Sequence, residues 1–309
     1  MFVGHGLAAF ALVGFLARWR GRTAEHALQL AVVAALFATV PDIDILYGPL
    51  GLLNGISGVF DAADSFWSTG NVVHRGPTHG MVLGAVAAAA FALWYRQGTV
   101  SSALGLCGFV LIVAIATVTS GSLAGAVVAA MTLSGLLILV LARRFGLSAA
   151  GVFATASVGL LSHPLGDLFT GEPPQLLYPF DVTLVGERIA LSADPTLHLL
   201  GAFVIELSII WLALIVYCRL TDRRVRSSID RKAALGVGYA AAAVTLPAPT
   251  LDVSYYFVFS ILVFGIIGAT QRGLLRRRGR GFAWLRAFAT GLTAITVAAT
   301  AYLVTYVVL

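Results

Sequence analysis

Long apolar runs alternate with short polar breaks along the whole chain. The uninterrupted apolar stretches cover about 3–17, 26–40, 77–95, 102–119, 121–142, 147–167, 196–220, 233–246, 254–271 and 282–309. Each is near the roughly 20 residues that a helix needs to cross about 30 Å of hydrocarbon. The pattern therefore predicts an all-α fold, a polytopic integral membrane bundle of about ten transmembrane helices. Composition agrees: 59% of the 309 residues are apolar, 11% are charged, and the mean hydropathy is +0.93. A soluble domain has about 45–50% and about 25% respectively, so soluble classes are excluded.

Charge adds orientation. The net charge is +6, but the basic residues sit in short clusters between apolar runs. That is the pattern of topology signals, so no nucleic-acid partner is expected. With alternate loops placed on opposite sides, 18 of the 20 Lys and Arg residues share one side, and only Arg75 and Arg188 lie opposite. The positive-inside rule makes the crowded side cytoplasmic and expects both termini outside the cytoplasm, in a cell inner membrane. The opening Met-Phe-Val-Gly-His-Gly lacks a basic leader region, so the first span is expected to be retained, and His5 with it. Acidic residues lean outward, and since they barely affect orientation, their bias invites another reason, such as a cation site. Cys107 and Cys218 lie inside apolar runs without metal-ligand spacing, so neither a disulfide framework nor a zinc finger is indicated.

Four polar clusters fall at the outer ends of spans one, two, three and six: His5; Pro41-Asp42-Ile43-Asp44; His74-Arg75-Gly76-Pro77-Thr78-His79; and Ser162-His163-Pro164-Leu165-Gly166-Asp167. Topology brings all four to one membrane depth. His5, Asp42, Asp44, His74, His79, His163 and Asp167 then make seven potential metal ligands. Imidazole and carboxylate donors suit a divalent transition metal, zinc (Zn) first, with Mn or Fe as alternatives. Seven donors exceed what one tetrahedral ion needs, so one or two ions are expected.

Local spacing sharpens the picture. Pro41 should end span two and leave Asp42 and Asp44 on an extended or turn segment, pointing the same way. Pro77 suits the first position of span three, with Gly76 as its cap. Arg75 beside it is placed to clamp a phosphate or carboxylate, or else to meet lipid headgroups. His163 and Asp167, at i and i+4, share a helical face if Pro164 only kinks the turn. His198 and Glu206 form a separate pair in span seven, and His26 lies on the cytoplasmic side. Two outer loops flank the clusters. The 45–73 loop carries Phe60, Phe66 and Trp67 beside Asp61 and Asp64, a mixture suited to headgroup level and to a lid. The 170–195 loop carries Gly171, Pro173, Pro174 and Tyr178-Pro179-Phe180 and is expected to wall the site.

The string His74-Arg75-Gly76-x-Thr78-His79, with His5, Pro41-Asp42-x-Asp44, Ser162-His163-x-x-x-Asp167, Tyr178-Pro179-Phe180 and Asp194-Pro195, resembles a family of bacterial and archaeal inner-membrane proteins. These are the LexA-regulated, membrane-bound metal-dependent hydrolases. The resemblance covers about residues 1–195. It implies metal-dependent hydrolysis, and departs from the family pattern at Pro164. The organisation expected is thus a metal-site module, 1–195, and a four-helix extension, 196–309. The activity expected is hydrolysis of an ester, amide or phosphoester in a lipid-like or envelope substrate, with Asp44, Asp167 and Arg75 as catalytic candidates. Two alternatives stay open. His163-x-x-x-Asp167 is similar to the last motif of membrane phosphatidic-acid-type phosphatases, whose His is the nucleophile. Glu206 with the outer acids would suit a cation-coupled transporter.

Overall fold

A computed structural model describes residues 2–55, 57–169, 172–270 and 280–309. Thr170 and Gly171 of the expected site wall, and Gln271, Arg272 and Arg276–Arg278 of the expected cytoplasmic cluster, lie outside them. All regular elements among the described residues are helical: α1 (Phe2–Trp19), α2 (Ala24–Thr39), α3 (Val59–Gly70), α4 (Met81–Arg96), α5 (Thr99–Arg144), α6 (Ala149–Asp167), α7 (Pro195–Leu220), α8 (Ala242–Thr245), α9 (Tyr255–Ala269) and α10 (Arg280–Val308), with several 3-10 segments between them. Four stretches are long and apolar enough to cross a membrane, Ala24–Leu53, Thr99–Arg144, Pro195–Leu220 and Trp284–Val308. Val3–Trp19, Met81–Arg96 and Tyr255–Ala269 are shorter apolar helices.

The chain divides into two compact units, Met1–Ile189 and Ala190–Leu309. The first is a helical bundle whose core joins α2, α4, α5 and α6 through Val33, Phe37, Leu83, Phe91, Ile112, Met131 and Val152. Small residues set its closest crossing. A Cβ on Gly159 of α6 would fall 2.6 Å from Phe37 Cβ and 2.7 Å from the Ala38 nitrogen of α2, so only glycine admits this approach. That crossing places the last turn of α6 beside the end of α2. The apolar runs 102–119 and 121–142 are two arms of α5, broken at Gly121, whose φ of 87° and ψ of 174° suit glycine.

The second unit gathers α7, α9 and α10 around Leu200, Phe257, Ile261 and Tyr302. Here the apolar run 233–246 departs from the expected α-helix. It forms a 3-10 segment, Arg231–Ala241, followed by the single turn α8. At about 2.0 Å rise per residue, against about 1.5 Å in an α-helix, the segment and α8 together still span about 28 Å.

Candidate metal centre

Asp42 and Asp44 do not sit on extended chain. Residues Pro41–Ile45 form a 3-10 turn directly after α2, because Pro41 can open a helical turn but cannot continue the hydrogen bonding of α2. The turn sends the two carboxylates to different sides of one imidazole: Asp42 Oδ1 lies 3.7 Å from His79 Nε2, and Asp44 Oδ2 lies 3.2 Å from His79 Nδ1. His79 itself closes a second 3-10 turn, Pro77–His79; extended Gly80 then separates it from α4. Pro77 thus opens this short turn instead of the long helix. In α6, the helix runs through Pro164 to Asp167, and His163 Nε2 lies 3.5 Å from Asp167 Oδ2 on one face.

The long-range hydrogen bonds decide which ring nitrogens are free. His163 Nδ1 lies 2.6 Å from the Ala38 carbonyl oxygen, which can only accept, so Nδ1 carries the proton and Nε2 presents a lone pair. His79 Nδ1 faces Asp44 Oδ2 and Thr78 Oγ1, at 3.2 and 3.0 Å, while the Thr78 hydroxyl donates to the same Asp44 oxygen at 2.8 Å. His79 Nδ1 therefore donates, and its Nε2 is also an acceptor. The two Nε2 atoms meet at 3.0 Å. Asp42 Oδ1 lies 3.3 Å from His163 Nε2, and Asp167 Oδ2 lies 3.2 Å from His79 Nε2. With both imidazoles neutral, these four atoms are all acceptors, and Asp167 Oδ2 is buried without a hydrogen-bond partner.

Around this knot every remaining group holds a ligand candidate in place. Asp167 Oδ1 is met by His5 Nε2 at 3.2 Å and by Arg75 Nη2 at 3.4 Å. His5 also stacks on His163, ring centroids 3.9 Å apart. His74 Nδ1 donates to Asp44 Oδ1 at 2.8 Å, and its Nε2 accepts from Arg75 Nε at 3.3 Å. Arg75 adopts a left-handed φ of 64°, uncommon outside glycine, and its Nη1 donates to the Glu172 carbonyl at 2.7 Å. The segment 172–189 closes over this side through Gln175 N–H to Arg75 O, Met81 N–H to Leu176 O and Ile189 N–H to Leu168 O.

All seven expected ligands and Arg75 therefore lie in one cluster of the first unit. His26 follows the N-cap Thr23 at the far end of α2, and His198 and Glu206 belong to α7 of the second unit. Thr78, not singled out as functional from sequence, is a working part of the cluster; its place inside the His74–His79 string was the available signal. His5, Asp44, His79, His163 and Asp167 are at most 4% exposed. Three carboxylates against one guanidinium leave two negative charges uncompensated when the imidazoles are neutral. Buried charge of that kind is costly unless paired or metal-bound. Three overlapping donor groups can hold an ion: His5, His163 and Asp167; Asp42, His79 and His163; Asp44, His74 and His79.

A model of the YdjM inner membrane protein family matches residues 1–244. No curated protein and no solved structure matches the chain. The chain belongs to the YdjM family and is an inner membrane protein with a buried His/Asp cluster able to bind metal.

Proposed function

We propose that this YdjM-family membrane protein is a metal-dependent hydrolase acting on an ester, amide or phosphoester of a lipid or envelope-associated substrate. The observation that carries the reading is the convergence of four donor-free acceptor atoms: His79 Nε2, His163 Nε2, Asp42 Oδ1 and Asp167 Oδ2. Five of the six separations among them run from 3.0 to 3.7 Å, with Asp42 and Asp167 each set against the His79–His163 pair. Four donors at about 2.1 Å from one centre would stand about 3.4 Å apart. The donor set fits zinc, with Mn or Fe as alternatives.

A divalent ion held there would supply a Lewis acid that polarises the scissile group and lowers the pKa of water. The chain's own residues do the rest. Asp44, with both oxygens engaged by His74, Thr78, His79 and Arg75, fixes the tautomer and tilt of His79. Ala38 does the same for His163, and His5 with Arg75 for Asp167. Asp42 is the most exposed carboxylate of the three, with a side-chain exposure of 13%, and is the group assigned to receive a proton. Arg75, whose guanidinium is held by His74, the Glu172 carbonyl and Asp167, sets a positive charge beside the centre that favours an anionic group on the substrate. The 18-to-2 distribution of basic residues supports an extracytoplasmic centre with both termini on that side.

Metal analysis of purified protein tests the reading. It should retain one to two equivalents of a transition metal; His79→Ala or His163→Ala should lower that content, and His26→Ala should not. Chelation should abolish hydrolysis of an amphiphilic ester or phosphoester, and a divalent ion should restore it. Metal content indifferent to all three substitutions would sink the proposal. Activity that survives chelation, with a trapped phosphorylated His163, would favour the phosphatase alternative.

A further inference from the structure

Between Asp44 and His74 the chain makes a two-layered hairpin. Its first leg is a 3-10 segment, Gly48–Asn54, and its second is α3. The legs are in direct contact: a Cβ on Gly48 would fall 2.9 Å from the Phe66 ring, and Gly51 leaves no room for one against Ser65. The base is clasped by Tyr47, whose hydroxyl donates to Gly70 O at 2.8 Å and accepts from Val73 N–H at 2.9 Å. The metal centre begins at the next residue.

The two layers differ in polarity. On the first leg, Leu50 and Leu53, three apart and so eclipsed in a 3-10 helix, are 60% and 81% exposed, and Leu46 just before it is 66% exposed. On α3, Val59 and Phe60 are exposed in the first turn, and the outward positions beyond them include Asp61, Asp64 and Ser68. Asp61 also accepts from Ser57 N–H at 2.7 Å. Residues 46–73 contain no Lys or Arg. The leucine-bearing leg also belongs to the stretch Ala24–Leu53, which is long and apolar enough to cross a membrane.

We infer that the hairpin 46–72 lies in the lipid headgroup region, with the leucines of its first leg in the acyl boundary and the acidic face of α3 in water. Exposed leucines on one layer, carboxylates on the other and membership of an apolar stretch long enough to cross a membrane identify the bilayer as the occupant. Such elements bury their apolar face about 5–10 Å into the boundary. Resting on the hydrolase reading, this names the substrate class: an amphiphile that reaches Arg75 and Asp42 laterally from the same leaflet.

The test places single cysteines at Leu50, Leu53, Asp64 and Ser68 in full-length protein carrying Cys107→Ala and Cys218→Ala. Each is spin-labelled and reconstituted in phosphatidylethanolamine–phosphatidylglycerol vesicles. Labels at 50 and 53 should collide with oxygen more than with a water-soluble nickel complex, and labels at 64 and 68 the reverse. Equal, water-like exposure at all four positions would overturn the inference. Labels at 50 and 53 shielded from both reagents would also overturn it, by showing a protein against the leucines. The readout needs no catalysis, so a protein that hydrolyses nothing can still pass it, and one that hydrolyses can still fail.

Discussion

Replacing Asp44 by Asn separates an orienting carboxylate from a metal ligand. Asp44 is fully buried. One oxygen accepts from His74 Nδ1 at 2.8 Å; the other faces the Thr78 hydroxyl at 2.8 Å, His79 Nδ1 at 3.2 Å and the Arg75 N–H at 3.3 Å. Asparagine keeps one acceptor oxygen and turns the other position into a donor, which must then face donors. Whichever way the amide turns, His74 or the Thr78–His79 pair loses its acceptor, at about 1.5–3 kcal/mol for a hydrogen bond to a charged group. If Asp44 acts by aiming His79, the ion should bind about 10–100-fold more weakly, which is about 1.4–2.8 kcal/mol, with its stoichiometry unchanged. Asp42→Asn or His163→Ala removes a direct donor and should take the stoichiometric ion with it. The assay is competition against a chromophoric chelator on detergent-purified protein, with elemental analysis for stoichiometry and a thermal melt to verify folding. A fall from two equivalents to one in Asp44→Asn would make Asp44 the ligand of a second ion and refute the single-knot reasoning. Unaltered affinity would remove its orienting role.

Cysteines replacing exposed Ser57 and Gln175 should react with an impermeant thiol reagent in intact cells, and one replacing Thr99 should not; the opposite pattern would invert the topology. Gly159→Val should wedge α6 away from α2, costing about 1–3 kcal/mol in overpacking. By stretching the His163–Ala38 bond it should also weaken metal retention, and a variant less stable yet equally metal-loaded would show that the crossing does not position His163. In the second unit, the Lys232 N–H and then the Arg286 guanidinium, 2.8 Å away, hold the Asp230 carboxyl below its ordinary range. A depressed carboxylate stabilises the fold above its unfolded value, about 3.9, and that contribution is lost as pH falls through the lowered one. The melting temperature of the native chain should therefore drop more steeply below about pH 4 than that of Asp230→Asn, and parallel curves would refute the linkage.

Sequence alone determined the solvent and the neighbourhood of the chemistry. Apolar runs of near-membrane length fix a helical chain, and helices that cross a bilayer force their polar ends to common depths. Hence His5, Asp42, Asp44, His74, His79, His163 and Asp167 are assigned to one cluster from the sequence alone. Charge asymmetry between loops works the same way, because it is a property of position along the chain. Other features were decided only by tertiary structure. Whether a histidine offers Nδ1 or Nε2 depends on an acceptor such as Ala38 O, 125 residues from His163, and no local period encodes that. The division of Asp42 from Asp44 depends on the turn after Pro41 being 3-10, which proline permits but does not dictate. The 231–241 segment winds as 3-10 where hydropathy reads only an apolar run, since burial selects for composition and not for pitch. The 46–72 hairpin hides its two layers for a related reason: Gly48 and Gly51 are inconspicuous until α3 folds onto them and leaves the leucines outside.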